Sequence, residues 1–286
     1  MTLPPILPGT PAPADLLARR ARMPTAWTAD MLEPGVDGRD AVIGEIDCLV
    51  CEPRATLNTF LYFHGGGYRM GSPAAWANFA SRLAAATDCP VIVPRYRLAP
   101  EHPFPAGLKD ALAVYRALTA RDGRPPIVGG DSAGGGLACA LALACEPAGL
   151  EVPHKTILLS PWVDLTVTNA AYASRKSDLF FPRESASEAA RQYLQGHDPR
   201  DSLVSPLMGD LSAFPDTLIF ASAEECLIGD ALALQAALAE ARVPVETHIV
   251  PGMTHVWPVI APALPESRAA LATIGYFARK EESGSV

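Results

Sequence analysis

The chain opens with about 38 Pro-rich residues and then changes character. In the opening stretch Leu16, Met23, Trp27 and Met31 share a helical face, although Pro24 breaks it. From about residue 41, short apolar runs alternate with Ala-rich stretches of helical period. The runs predict strands over 41–51, 57–63, 90–93, 126–129, 155–160, 216–222 and 245–250. Several of them, such as TLIFAS and TILLS, are almost continuously apolar, as parallel strands buried on both faces must be. Helices are expected between them at 74–87, 105–120, 132–145, 229–242 and 264–281. Strands alternating with helices imply crossover connections and a mostly parallel, doubly wound α/β sheet. Residues 165–205 break the alternation. They hold no clear strand yet carry Tyr172, Phe180, Phe181, Tyr193 and Leu194, the pattern of a lid over a pocket.

Composition narrows the function. The 286 residues suffice for one large domain with a full core. A net charge of −8 argues against a nucleic-acid partner, which needs a basic face. No apolar stretch approaches the roughly 18 residues of a membrane span, so no stable membrane insertion is expected. The N-terminus lacks a basic segment before a hydrophobic run, and a cytoplasmic location follows by default. The six cysteines then read as reduced core thiols. Cys48 and Cys51 form a lone C-x-x-C with no second pair to complete a zinc site, so no metal is expected.

Chemistry concentrates in two glycine-rich segments. Gly130-Asp131-Ser132-Ala133-Gly134 follows the apolar run PPIVGG and opens an Ala-rich helix, the context that a G-x-S-x-G elbow requires. The turn lifts the Ser132 hydroxyl to a helix N-terminus, where a developing oxyanion is favoured. His64-Gly65-Gly66-Gly67 follows the run NTFLYF. Bare backbone there can aim N–H groups at that oxyanion. Donors are expected from among Gly65, Gly66 and Gly67, joined by Ala133, with His64 anchoring the loop.

H-G-G-G followed by G-D-S-A-G resembles the hormone-sensitive-lipase family of esterases in its bacterial branch. The resemblance extends to Tyr96-Arg97-Leu98-Ala99-Pro100-Glu101 with Phe104-Pro105-Ala106, to Ser160-Pro161-Trp162-Val163-Asp164-Leu165 and to Ser205-Pro206-Leu207, and covers about 41–275. Arg95 departs from it, standing where the family often has Asp, and a packing effect is expected there. The family implies an α/β-hydrolase fold with a helical cap. Residues 1–40 and 165–205 would then build the cap, and 41–164 and 206–286 the core. It leaves a homodimer open.

A serine needs a base, and in this fold the order is Ser, acid, His. Of the histidines only His248 and His255 follow every candidate acid. His248 sits inside the strand candidate VETHIV, whereas His255 occupies the loop PGMTH, which also matches the family's G-M-x-H context. His255 is therefore the expected base. Glu224, Glu225 and Asp230 compete as the acid. The family's acid precedes an x-L pair, and Glu225-Cys226-Leu227 fits that register, with Asp230 at a helix N-terminus.

The sequence thus predicts a serine carboxylesterase acting on a small-molecule ester without cofactor. Tyr68, Trp162, Phe180, Phe181 and Trp257 are candidate pocket residues, joined by Trp27 and Met70. Arg97 and Glu101, four apart, offer a pair bracing the Pro100 loop, and Asp110 a brace for the following helix. The same triad serves lactone hydrolases and arylformamidases. A non-catalytic small-ligand receptor on this scaffold would lack the histidine, so His255 argues against that reading. The terminal EESGSV reads as a disordered tail.

Overall fold

The computed structural model describes residues 3–54, 56, 58–175, 178 and 180–280. The tail 281–286 lies outside the described residues. Eight strands form one sheet: β1 (Val36–Ile43), β2 (Ile46–Pro53), β3 (Phe60–Phe63), β4 (Val91–Pro94), β5 (Ile127–Asp131), β6 (Thr156–Leu159), β7 (Thr217–Ser222) and β8 (Val245–Val250). Their order is β1-β2-β4-β3-β5-β6-β7-β8. β2 runs antiparallel to both β1 and β4, and every pairing from β4 to β8 is parallel.

The single strand expected over 41–51 is in fact an edge hairpin, so the sheet begins at Val36. Gly44 (φ +58°) and Glu45 (φ +67°) make the two-residue turn. Two consecutive positive φ values match the twist of the flanking strands. The parallel strands β3 to β7 are short and buried on both faces, as their apolar runs require, whereas the edge strand β8 is not. Alternation divides them between two cores. Leu61, Phe63 and Ile92 face α3 (Ala106–Asp122), α4 (Ala133–Cys145) and α7 (Ile228–Glu240). Phe60, Tyr62, Val91 and Val93 face α2 (Ala77–Thr87) and α9 (Pro265–Arg279). The same alternation sends Cys48 to the first core and Cys51 to the second, so the C-x-x-C pair straddles the sheet. All six cysteines are buried and free.

The N-terminal segment and residues 165–205 meet above the C-terminal ends of the strands. α1 (Ala14–Arg20) ends at Arg20, whose guanidinium bonds the carbonyls of Arg69 and Ala99 and the carboxylate of Glu101. α5 (Ala171–Ser174) and α6 (Arg183–Leu194) occupy the 165–205 stretch. Phe104 N–H donates to the Tyr193 carbonyl, and Gln195 Nε2 to that of Pro100. The expected Arg97–Glu101 pair does not form. Arg97 reaches the buried carboxylate of Asp110 on α3 at 2.6 Å, while Glu101 takes Arg20 from the far end of the chain. No helix among the described residues is long and apolar enough to cross a membrane.

Candidate active site

Ser132 stands between β5 and α4 with φ +53° and ψ −121°, a conformation that costs on the order of 1–3 kcal/mol outside glycine. Neighbouring backbone enforces it. Ser132 N–H donates to the Leu159 carbonyl (2.9 Å), and its own carbonyl accepts from Trp162 N–H (3.0 Å). A Cβ at Gly134 would collide with the carbonyl of Phe63, so only glycine lets α4 start this close to β3. The hydroxyl is thereby held at the helix N-terminus, nearly sealed from solvent.

His255 comes from the loop after β8. Its Nε2 lies 3.0 Å from Ser132 Oγ and its Nδ1 2.5 Å from Glu225 Oε2. The loop is pinned by Ser222 Oγ, which donates to the Met253 carbonyl, and by Ser160 Oγ, which accepts from Val256 N–H. Glu225 follows the end of β7 and is 1% exposed. Its second oxygen accepts the Ser222 N–H at 2.8 Å. Burial disfavours a charged imidazole, but the hydrogen bond and charge of Glu225, aided by Asp178 and Asp131, prevail and raise the pKa of His255.

The other acids stand elsewhere. Glu224 is exposed. Asp230, in the first turn of α7, accepts the N–H groups of Val163 and Asp164 on one oxygen and the Asn169 amide on the other. Burial pushes its carboxyl up to about 7. It braces the Ser160–Leu165 segment. His248 stacks on Phe220 along the edge strand and bonds Glu246.

The glycine loop is oriented by Asp131, the neighbour of the nucleophile. One oxygen of this buried carboxylate accepts from Tyr62 Oη, Trp76 Nε1 and Gly65 N–H, at 2.9, 2.8 and 3.1 Å. Burial lifts its pKa to about 6 against those donors. Gly65 must therefore be taken out of the expected oxyanion donors, because its N–H is already engaged. The N–H groups of Gly66, Gly67 and Ala133 make no hydrogen bond among the described residues. His64 stacks on Tyr96 and meets Trp76 at a tilt, its Nδ1 against the Gly65 carbonyl, so it anchors the loop.

Of the expected pocket aromatics, Phe181 stacks toward the His255 ring at 6.2 Å and meets Trp162 edge-on at 5.0 Å. Tyr68 lies between Trp162 and Tyr193 beneath α6. Phe180 is 55% exposed and borders a cavity of about 210 Å³ beside His255, with Glu224, Glu225, Met253 and Thr254. Trp257 does not belong to the pocket. The short helix α8 (Trp257–Ile260) turns its indole into the opposite core, against Phe220. A larger cleft of about 600 Å³ between Trp27, Asp47 and Arg95 contains no member of the Ser132–His255–Glu225 group. Arg95, which donates its N–H to the Asp47 carbonyl, thus departs from the family pattern away from the reacting atoms. Sequence reasoning passed over Arg69, which is buried beside the glycine loop. Its position directly after His64–Tyr68 was the available signal.

The model of the alpha/beta hydrolase fold family matches residues 60–259. An acetyl-hydrolase of Streptomyces hygroscopicus is 41% identical over 225 residues, which are 77% of this chain and 75% of that protein. An esterase of Acinetobacter venetianus is 34% identical, over 76% of this chain and 73% of its own length. The crystal structure of a hormone-sensitive-lipase homologue from a metagenome library superposes with a TM-score of 0.85 at 33% identity, covering 93% of this chain and 90% of that one. An esterase from the bacterial hormone-sensitive-lipase family gives 0.84 at 34% identity, covering 93% and 95%. A family match over this span, on a sheet that carries the Ser132 elbow, places the chain in the α/β-hydrolase-fold family, among the esterases homologous to hormone-sensitive lipase.

Proposed function

We propose that the protein is a serine carboxylesterase for short-to-medium acyl esters, with Ser132 as nucleophile, His255 as base and Glu225 as acid. The observation that carries this reading is the 3.0 Å approach of His255 Nε2 to a serine hydroxyl on a strained turn at a helix N-terminus. A carboxylate can only accept, so neutral His255 keeps its proton on Nδ1 toward Glu225 and presents Nε2 as acceptor to Ser132. The hydroxyl attacks the ester carbonyl as its proton passes to Nε2. The N–H groups of Gly66, Gly67 and Ala133 hold the oxyanion. The intermediate collapses to an acyl-serine as His255 protonates the departing alcohol. Water then gives up a proton to His255 and attacks the acyl carbon, and His255 returns that proton to Ser132 Oγ as the carboxylic acid is released.

The buried wall of Tyr68, Trp162 and Phe181 favours acyl groups of modest length. The cavity beside His255 suits the leaving alcohol. α1 and α6 form the cap. The names of the relatives, an acetyl-hydrolase and esterases, support the reaction class.

The test compares wild type with Ser132→Ala on 4-nitrophenyl acetate, butyrate, octanoate and palmitate. We expect rapid turnover of the shorter esters and a loss on the order of 10⁴-fold or more in the variant. No turnover of any of the four by folded wild type would refute the proposal. So would a variant as fast as wild type.

A further inference from the structure

Arg69 is a buried guanidinium that the reaction above does not use. It is 4% exposed. Its Nε is sealed from solvent and has no hydrogen-bond partner among the described residues. Nη1 has only the Gln192 side-chain oxygen at 3.3 Å and the half-exposed Glu188 carboxylate at 3.8 Å. Burying a cation with so little compensation is unfavourable unless another anion completes the site.

The unpartnered Nε is placed where a substrate could supply that anion. A side chain at Gly67 would have its Cβ 3.7 Å from Arg69 Nε, 3.6 Å from the Phe181 ring and 3.4 Å from Ala189. An added Cβ would meet all three at ordinary van der Waals distance without collision, so a small space beside Nε lies over Gly67. Phe181 also borders His255, so guanidinium and triad share one wall. Charge is divided across the site. Glu188 and Asp15 pull on the Arg69 charge, while Arg19 and Arg191 repel it. The cavity beside the imidazole is lined by Asp178, Glu224 and Glu225. An anionic substrate would therefore orient its charge toward α6.

We infer that Arg69 is a specificity-determining residue that selects esters carrying a carboxylate on the side facing α6. This rests on the esterase reading and names its substrate class. The carboxylate accepts from Nε, which Glu188 at Nη1 leaves unpartnered, in the planar fork that guanidinium offers.

The experiment compares two matched pairs. Phenyl hemiglutarate against phenyl 4-carbamoylbutanoate puts the charge on the acyl side. 3-Carboxyphenyl acetate against 3-carbamoylphenyl acetate puts it on the alcohol side. Arg69→Met should lower the carboxylate-to-amide ratio of kcat/KM by about tenfold to hundredfold in one pair, the worth of a charged hydrogen bond. Arg69→Lys should restore part of the ratio. Glu188→Gln, a surface change that removes the competing carboxylate, should raise it, and keeps the test open if Arg69→Met does not fold. Calorimetric binding of the same pairs to Ser132→Ala reads the preference without turnover, so a failed esterase reading is distinguished from a failed Arg69 assignment. A ratio unmoved by Arg69→Met and Glu188→Gln in both pairs overturns the inference. So does an Arg69→Met loss equal for acid and amide, which marks a brace between cap and loop.

Discussion

Replacing Glu225 with Gln keeps the volume of the side chain and removes only the charge. The carboxylate is 1% exposed and touches His255 Nδ1 at 2.5 Å. Its other oxygen is fixed by Ser222 N–H. An amide there presents a donor or a weaker acceptor to Nδ1, so the imidazole loses both its tautomer and the partner of its positive form. A buried triad acid neutralised in place costs on the order of 10⁴ in kcat, or about 5 kcal/mol of transition-state stabilisation.

The pH profile separates this cause from general damage. The proposed mechanism needs neutral His255. Its pKa is raised in the wild type, so the acid limb of kcat/KM should lie above the ordinary histidine value of about 6.5. In Glu225→Gln, burial acts without the opposing carboxylate, and the limb should move to lower pH. Stability follows the same linkage. A raised histidine pKa stabilises the fold fully below the unfolded value, and that contribution fades as pH rises through the folded value. Kinetics on 4-nitrophenyl butyrate between pH 5 and 9, with melting temperatures alongside, would settle the matter. A variant retaining more than about a tenth of wild-type kcat, or an acid limb that stays in place, would refute the role given to Glu225.

Two further outcomes are expected. Phe181→Ala opens the wall shared by Trp162 and His255 and should raise the octanoate-to-acetate ratio of kcat/KM by about tenfold; an unchanged chain-length profile would remove Phe181 from the acyl pocket. The carboxyls of Asp230 and Asp131 are raised to about 7 and about 6, so between pH 5 and 7 the folded state holds protons that the unfolded chain has released, and stability falls as pH rises. Asp230→Asn should flatten that slope in denaturant titrations, and an equally steep slope would show that Asp230 stays ionised.

Much of the architecture could be read because the parallel strands are two-sided. Runs such as TLIFAS have to be buried on both faces, and they mark β3 to β7 within a few residues. The edge was harder. β1 is largely solvated and β2 is buried only along its centre, and Gly44-Glu45 is an inconspicuous turn inside a continuous mixed pattern, so one strand was expected where the chain folds back on itself. Pairing across long separations was also hidden. A four-residue spacing suggested Arg97–Glu101, yet α3 offers Arg97 a buried carboxylate and α1 brings Arg20 to Glu101 from 81 residues away.

The site divides along the same line between local and tertiary causes. Ser132 was legible because a strand, a sharp turn and a helix must follow one another in sequence to present a hydroxyl, and each leaves its own local mark. Loop position and chain order singled out His255 in the same way. Gly65 and Trp257 failed for the opposite reason. Whether an amide stays free depends on Asp131, 66 residues on, and whether an indole enters the pocket depends on the way one turn of helix after His255 faces across the sheet. Arg69 belongs with these two. An arginine next to glycines reads as a surface residue until α6 is laid over it, and only then does the unpartnered Nε appear on which the proposed substrate class rests. On the proposed reading the catalytic group is written in short motifs, whereas selectivity would lie in contacts between α6 and the glycine loop. Substitutions in the cap should therefore change which ester is taken while leaving the Ser132–His255 distance alone.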